Sequence, residues 1–329
     1  MGLFSKKWNP DGKHVYITGG STGLGLSLAQ LLTRKGAHVS IVARSKEKLD
    51  TAFALLEVPS NELQLASIAD NVQKERVSPS QILKAYSHAL DTAAASTEAL
   101  EAVCEPFGGQ APDAIVMCAG ASKPMFFVEM TEEDLVNGMT NGYWVQAWTA
   151  WGAAKKMVKQ RKAGSKIVLV SSTLGYMSFL GWASYAPPKH ALRGLADTLQ
   201  SELMLYGVDV QIFFPPAMFT PGYDEENRTK PAIVRKIESA DEGLTPEQAA
   251  SALFKGMESG ETHITADLIT TLFRASTRGS SYRSNWFLDA LYDMVAYAAM
   301  PVWRSSVDKQ VVEHREEHEH YLSQQGFFS

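Results

Sequence analysis

Short apolar runs alternate with amphipathic segments along most of the chain. The clearest runs are rich in β-branched residues and are bounded by glycine, proline or polar residues; they read HVYITGG, HVSIVAR, DAIVMCAG, SKIVLVSS and VDVQIFF. Runs of this kind predict buried strands, and apolar residues at helical spacing between them predict helices. Because strands that alternate with helices indicate βαβ units, the pattern predicts an α/β fold with a doubly wound parallel sheet and helices on both faces.

This alternation also divides the chain into regions. It extends to about residue 260, so we expect a single domain over 1–260, interrupted by a polar insertion at about 58–82. Residues 261–329 are expected to form a helical extension. Within it, 286–303 is aromatic and apolar, but Asp289 and Asp293 interrupt it, and the uncharged remainder is too short to span a bilayer. Two interpretations stay open, a membrane-associating interfacial helix and a helix in the core or in a dimer contact.

A long helix is expected over 132–160. Its tryptophans, Trp144, Trp148 and Trp151, fall at i, i+4 and i+7, which places them on one helical stripe. No charge interrupts the segment between Asp134 and Lys155. We interpret it as a buried helix that packs against a second copy of the chain in a homo-oligomer.

Composition narrows the function classes. The formal net charge is −5 and no long basic run occurs, which argues against nucleic acid as a partner. The two cysteines, Cys104 and Cys118, make neither a disulfide framework nor a metal site, and they fit a reducing compartment. The stretch HREEH at 314–318 matches a zinc-protease pattern, but it lies in a highly charged tail that favours a solvated helix. We therefore expect no metal.

The first predicted strand leads into TGGSTGLG, at 18–25, and then into a helix. Glycines at this point let a pyrophosphate approach the backbone, and the helix N-terminus favours the anion. We predict dinucleotide binding by Gly19, Ser21, Thr22, Gly23, Leu24 and Gly25. The same letters match G-x-S-x-G, a hydrolase nucleophile turn, but that reading needs an acid and then a histidine in later strand-end loops, where His263 is the sole candidate.

The second strand ends in VAR and continues as SKEK. A carboxylate at this position would bind a ribose 2′-hydroxyl, whereas a basic residue accommodates a 2′-phosphate. Arg44 and Lys48 supply positive charge here, and a guanidinium binds phosphate in a bidentate manner. The sequence therefore predicts NADPH as the cofactor.

Four polar residues follow in an order that carries a resemblance. Asn141, Ser172, and the pair Tyr185 and Lys189 come after TGGSTGLG and CAG at 118–120, and the combination resembles the short-chain dehydrogenase/reductases over roughly 13–258. The resemblance implies a Rossmann fold and hydride transfer between nicotinamide and a carbonyl or alcohol. It also implies cofactor contacts from Asp91, Gly120, Tyr185 and Lys189.

The expected chemistry explains these residue types. Reduction of a ketone leaves an alkoxide that needs a proton, which Tyr185 would supply; a lysine ammonium one turn away would lower the pKa of that phenol. Ser172 would polarise the carbonyl, and Asn141 would support a water relay to Lys189. Two departures from the family pattern stand out: Pro187 and Pro188 lie between Tyr185 and Lys189, and MCAG lacks the usual asparagine.

A narrower resemblance follows the sixth strand. The segment PPAMFTPGYDEENRTKP, at 215–231, is similar to that of 3-ketodihydrosphingosine reductases. It implies NADPH-dependent reduction of 3-ketosphinganine to sphinganine at the cytosolic face of the endoplasmic reticulum membrane. A substrate loop is expected over 218–244, in which Glu225 and Glu226 would attract the substrate amine, with 280–305 meeting the bilayer surface. Alternatives are a reductase of another lipid or steroid ketone and a non-catalytic NADP-binding regulatory protein.

Overall fold

The computed structural model describes residues 7–57, 78–238, 243–279 and 283–325. Seven strands of this described part form one parallel sheet, in the order β3-β2-β1-β4-β5-β6-β7. They are β1 (His14–Thr18), β2 (His38–Ala43), β3 (Leu83–Ser87), β4 (Ala114–Met117), β5 (Lys166–Val170), β6 (Asp209–Phe214) and β7 (His263–Thr265). The predicted Rossmann-type parallel sheet is confirmed. The strand order reverses between β1 and β4, the point where such sheets bind ligands at their carboxyl ends.

Helices cover both faces of this sheet, as predicted. They are α1 (Gly23–Arg34), α2 (Lys46–Glu57), α3 (Ala93–Cys104), α4 (Glu132–Met139), α5 (Val145–Lys159), α6 (Ala186–Leu203), α7 (Pro221–Thr229), α8 (Ala232–Glu238) and α9 (Pro246–Ser259). A π-helical segment, Thr140–Trp144, joins α4 to α5. The C-terminal helices are α10 (Leu268–Ser276), α11 (Trp286–Glu313) and α12 (Arg315–Gln324).

The core lies in two layers, one on each face of the sheet. Val15 and Ile17 of β1 pack with residues of α1 and α9, whereas Tyr16 faces the opposite layer with residues of α3, α5 and α6. Every residue of β1 and β5 is buried. Because both faces of these strands are covered, their sequences are continuously apolar rather than alternating.

The sheet continues past residue 260, where the sequence analysis placed the end of the first domain, since β7 pairs with β6. Beyond it, the predicted helical extension is confirmed. A buried ion pair holds it: the Arg274 guanidinium of α10 binds both oxygens of Asp289 in α11, at 2.5 and 3.1 Å. Asn285 caps α11 by accepting the backbone N–H groups of Phe287 and Leu288. In the described ranges, no helix combines the length and apolarity that crossing a bilayer requires.

Two further expectations concern the polar insertion and the tryptophan-containing helix. The insertion expected at about 58–82 lies mostly outside the described residues. The helix expected over 132–160 forms, and its tryptophan stripe lies at the surface of the single chain, where Trp144 is 39% exposed and Trp151 is 48% exposed. Small and polar residues on the opposite face, such as Gln146 and Ala150, pack against the sheet instead.

Candidate active site

The glycine-rich turn after β1 holds its backbone close to the end of β4. Gly19 has φ +67°, and a Cβ there would lie 2.8 Å from the Ala119 nitrogen, which also donates a hydrogen bond to the Thr18 hydroxyl at 3.1 Å. A Cβ on Gly25 would lie 2.3 Å from the Gly19 carbonyl oxygen. These positions therefore require glycine, as expected of a turn whose backbone approaches a pyrophosphate.

The other predicted residues of this turn contribute through the backbone. Thr22 precedes the first residue of α1 with extended φ and ψ, and its side chain accepts no capping hydrogen bond in the described part of the chain. Ser21 and Thr22 are partly exposed, while the Leu24 side chain is buried in the core. The N–H groups at the start of α1 are thus the groups that would meet an anion.

Positive side chains lie at the neighbouring strand end. Arg44 follows β2 and Lys48 lies in the first turn of α2, and both side chains are exposed. The Ser87 hydroxyl of β3 donates to the Arg44 carbonyl oxygen at 3.0 Å, which fixes the backbone of this turn. Asp91, also exposed, lies in the connection from β3 to α3. The sheet order places these three residues at one carboxyl edge, beside the glycine turn.

Ser172, Tyr185 and Lys189 come together at the carboxyl end of β5. The Ser172 side chain lies close enough to the Tyr185 phenol to lower its pKa, and the Lys189 Nζ lies 5.3 Å from the centre of the Tyr185 ring. Lys189 Nζ also donates to the Val170 carbonyl oxygen at 3.0 Å. The hydroxyl groups of Ser172 and Tyr185 therefore form one donor pair, with a buried ammonium beside it.

The two prolines fit the first turn of α6. Tyr185 is the N-cap residue, so Pro187 and Pro188 occupy positions whose N–H groups need no helical partner. Glycines of the neighbouring helix make room for them: a Cβ on Gly142 would lie 2.7 Å from the Pro188 ring, and a Cβ on Gly138 would lie 2.3 Å from the Ser184 carbonyl oxygen. The Tyr185–Lys189 spacing of one helical turn is thus preserved.

Asn141 lies within the π-helical segment. Its side-chain amide donates to the Asn137 carbonyl oxygen at 3.0 Å, one turn back. Its own backbone carbonyl borders the space above Gly120, where a Cβ would lie 3.2 Å from the Asn141 oxygen and 3.9 Å from Lys189 Nζ. The backbone carbonyl of Asn141 therefore borders the same space as Lys189 Nζ, whereas its side chain bonds back to Asn137.

Burial governs the titration of this site. It raises the pKa of Tyr185 above its ordinary value; the Glu226 carboxylate raises it further, and the Ser172 hydrogen bond lowers it. Burial also lowers the pKa of Lys189 to about 8. Burial is therefore the largest effect on the Tyr185 pKa, and the net shift is upward instead of the lowering expected from Lys189. The Cys118 thiol, in the MCAG stretch that lacks the family's usual asparagine, has its pKa raised by burial to about 12.

Sequence reasoning missed Gln146 of α5. This side chain is buried and spans the end of β5: its Nε2 donates to the Val170 carbonyl oxygen at 2.8 Å, and its Oε1 accepts from the Val170 N–H at 2.9 Å. The Val170 carbonyl oxygen thus accepts hydrogen bonds from both Gln146 and Lys189. The signal was a lone amide on the inner face of an otherwise apolar helix, because a buried amide needs fixed partners.

The segment expected to be a substrate loop, 218–244, is largely helical. It contains α7 and α8, so the prediction of a loop is wrong for its described part. Thr220 caps α7, and its methyl group would lie 3.0 Å from a Cβ on Gly23 in the glycine turn. The segment is therefore a helical lid over the cleft between the glycine turn and Tyr185.

Buried charges hold this lid. Lys230, at its centre, donates to Glu226 Oε1 at 2.8 Å and to Glu238 Oε2 at 2.6 Å. The Ser122 hydroxyl, in the connection after β4, donates to Glu226 Oε2 at 2.5 Å. Trp182, next to the catalytic tyrosine, donates its indole N–H to Glu238 at 3.1 Å. Sequence reasoning assigned no role to Ser122, Lys230 or Glu238.

The sequence of this chain matches those of known proteins that have a common family. The family model described as short chain dehydrogenase matches residues 13–231. A 3-ketodihydrosphingosine reductase of Cryptococcus neoformans is 42% identical over 98% of this chain and 90% of its own length. One of Dictyostelium discoideum is 31% identical over 79% of this chain and 76% of its own length.

The solved apo structure of LigD from Sphingobium sp. strain SYK-6 has the same fold. It superposes with a TM-score of 0.62 at 20% identity, over 83% of this chain and 99% of that one. The fold, the ordered set of site residues and the full-length relatives agree. The chain therefore belongs to the short-chain dehydrogenase family, and within it to the 3-ketodihydrosphingosine reductases.

Proposed function

We propose that this chain reduces the C3 ketone of 3-ketosphinganine to sphinganine with NADPH, a step of sphingolipid biosynthesis. The observation that carries the proposal is the similarity to reductases of this name over 98% of the chain, which includes the lid as well as the catalytic residues.

The side chains at the end of β5 suit ketone reduction. A bound nicotinamide supplies the hydride. The carbonyl oxygen fits between the hydroxyl groups of Ser172 and Tyr185, which donate hydrogen bonds to the developing alkoxide. The raised pKa of Tyr185 keeps the phenol protonated at neutral pH, so that it holds the proton the alkoxide needs. Lys189, with a pKa of about 8, is mainly charged at neutral pH and stabilises the phenolate that results.

The preference for NADPH is supported by the charge around the second strand. Arg44 and Lys48 are exposed at its carboxyl end. A 2′-phosphate placed beside the ribose would meet a guanidinium and an ammonium there.

The protein has an apolar recess beside the catalytic residues that suits a long alkyl chain. A cavity of about 470 Å³ adjoins the start of α6, and its lining is mainly apolar: Phe126, Phe179, Leu180, Trp182, Ala186 and Pro187. His318 of α12 closes one side of it. We assign the alkyl chain of the substrate to this recess, because burial of its methylene groups adds binding energy at about 0.8 kcal/mol each.

We assign the bilayer contact to α11, at the cytosolic face of the endoplasmic reticulum. Trp286 is 75% exposed, Phe287 77% and Tyr297 86%, and they continue into a stripe with Leu291 and Met294. Of the two acids that interrupt this apolar stretch, Asp289 turns inward to Arg274, whereas Asp293 is partly exposed at the edge of the stripe, one turn before Tyr297. A helix of this kind lies in the membrane interface, where a long-chain substrate is found.

A homo-oligomer is supported by α5. The rings of Trp144 and Trp148 stack at 4.6 Å, and Trp151 follows them on the same exposed stripe. A second copy of this chain would cover that face, since aromatic side chains at the centre of an interface supply much of its binding energy.

The test is NADPH consumption by the purified chain with three ketones in parallel. We expect 3-ketosphinganine to be reduced with the highest kcat/KM, well above a short keto ester and a steroid ketone. A preference for either of the other two ketones would exclude the proposed substrate. Consumption of none of them, with NADPH still bound, would favour a regulatory role.

A further inference from the structure

Glu226 lies between the lid and the connection after β4, with both carboxylate oxygens engaged. Its Oε2 accepts the Ser122 hydroxyl at 2.5 Å, and its Oε1 lies 2.8 Å from Lys230 Nζ. Ser122 comes two residues after Gly120, and a Cβ at Gly120 would lie 3.9 Å from Lys189 Nζ. Glu226 therefore reaches from the lid to the loop that borders the catalytic lysine.

A chain of contacts leads from Glu226 to the catalytic tyrosine. Lys230 Nζ lies 5.1 Å from the Trp182 ring centre, and that ring is 5.5 Å from the Tyr185 ring. The negative charge of Glu226 acts on the Tyr185 phenol, because it raises the pKa of that group. A carboxylate whose field reaches the proton donor lies within range of a cation bound beside the reacting carbonyl.

The proposed substrate carries such a cation. In 3-ketosphinganine the amine is on the carbon next to the ketone, so its ammonium enters the cleft together with the carbonyl. A buried ammonium needs an opposite charge, because loss of its water is costly unless it is paired. In the ligand-free chain the ammonium of Lys230, whose side chain is 1% exposed, neutralises Glu226.

We infer that Glu226 is the carboxylate that binds the substrate ammonium, and that it makes the lid selective for 2-amino ketones. This inference rests on the proposed function. Lys230 keeps a second carboxylate, Glu238, at 2.6 Å, so Glu226 turns toward the substrate without leaving the lysine unpaired. The Ser122 hydroxyl, a neutral donor, fixes the carboxylate and leaves its charge available.

The neighbouring acid does not fit this role. The side chain of Glu225 is 67% exposed and pairs with Arg228 at 2.7 Å on the outer surface of α7. Glu225 and Glu226 were expected to share one role, but only Glu226 points to the loop after β4. Glu225 therefore supplies a matched control at the adjacent position.

The experiment compares two ketones of equal chain length. One is 3-ketosphinganine and the other is the same hydroxyketone without the amine. For Glu226→Gln we expect kcat/KM on the amino ketone to fall by about 10- to 100-fold and on the amine-free ketone by no more than about twofold. Glu225→Gln should change neither. An equal loss on both ketones would mean that Glu226 only holds the lid, and no loss on the amino ketone would also overturn the inference.

A second measurement needs no variant. A long-chain primary amine and the alcohol of the same length are tested as inhibitors of ketone reduction by the wild-type protein. Fluorescence of bound NADPH shows in parallel whether either compound displaces the cofactor. We expect the amine to inhibit at a concentration about tenfold or more below the alcohol. Equal inhibition would overturn the inference even if Glu226→Gln does not fold.

The two claims fail separately. If the wild-type protein reduces 3-ketosphinganine but Glu226→Gln affects both long-chain ketones equally, the inference fails and the proposed function stands. If the wild-type protein prefers a steroid ketone, the proposed function fails, and the amine inhibitor still reports whether the cleft binds a cation.

Discussion

Replacement of Lys189 by methionine should abolish turnover and at the same time stabilise the cofactor-free protein at neutral pH. Lys189 is 4% exposed, and burial lowers its pKa from 10.5 to about 8. The folded chain thus holds an ammonium where an uncharged group would be more stable. Methionine is also unbranched and flexible, and it removes the charge while filling most of the space.

The pKa values set the size and the pH range of the effect. Below pH 8 Lys189 is protonated in both the folded and the unfolded chain, so the folded chain carries the whole cost of the buried charge. Between pH 8 and 10.5 the folded chain releases its proton first, and its free energy of unfolding rises with pH. At about 1.4 kcal/mol per pH unit, this window amounts to about 3 kcal/mol. That is the upper limit of the advantage of Lys189→Met at neutral pH, and only about 1 kcal/mol of it should remain near pH 9.5.

Urea unfolding followed by circular dichroism, without cofactor, measures this difference at neutral pH and near pH 9.5. Lys159→Met is the matched control, because Lys159 is an exposed lysine at the end of α5, and its replacement should give no pH-dependent difference. A Lys189→Met variant no more stable than wild type at neutral pH would refute the reasoning. An advantage that is the same at both pH values would refute it too, since the cause would then be packing and not charge.

Four other changes test separate parts of the structure. Tyr185→Phe should lower kcat by at least about 100-fold while NADPH still binds; near wild-type turnover would exclude Tyr185 as the acid. Arg44→Asp should shift the ratio of kcat/KM from NADPH toward NADH, and an unchanged ratio would show that Arg44 does not bind the 2′-phosphate. Trp286→Ser with Phe287→Ser should reduce flotation with liposomes and activity on the long-chain ketone; survival of both would rule out α11 as the membrane contact. Gly142→Ala should lower the free energy of unfolding in urea by about 1–3 kcal/mol, and an unchanged free energy would show that α6 shifts to make room for the methyl group.

The central part of the fold follows from local pattern. Strands such as β1 and β5 are buried on both faces, and their continuous apolar sequences predict this directly. The tryptophan stripe of α5 shows the limit, because periodicity predicts that Trp144 and Trp151 share a face but not what covers that face. The lid shows another limit: α7 is rich in charged residues, and its helix depends on the Thr220 cap and on the burial of Lys230. The cap is a local signal, Thr220 followed by proline, that the sequence analysis left unused, whereas the pairing of Lys230 with Glu238 of the next helix has no periodic signal.

The catalytic residues were predictable because their order along the chain is specific. Ser172, Tyr185 and Lys189 lie at one strand end, which is where the resemblance placed them. Their electrostatics were not predictable, since the pKa of Tyr185 depends on how much water the folded site excludes and on Glu226 from a distant segment. Gln146 was missed for a similar reason: a single amide in a helix gives no sign of the strand end it will bind.

The contact between Gly142 and Pro188 also constrains how this sequence can change over evolutionary time. A Cβ at 142 would lie 2.7 Å from both the Cβ and the Cγ of Pro188, so a side chain at 142 requires the two helices to move apart. Loss of the proline alone does not remove this overlap, because every residue except glycine keeps a Cβ at 188. Related sequences that keep this helix packing should therefore keep glycine at 142 whatever residue stands at 188.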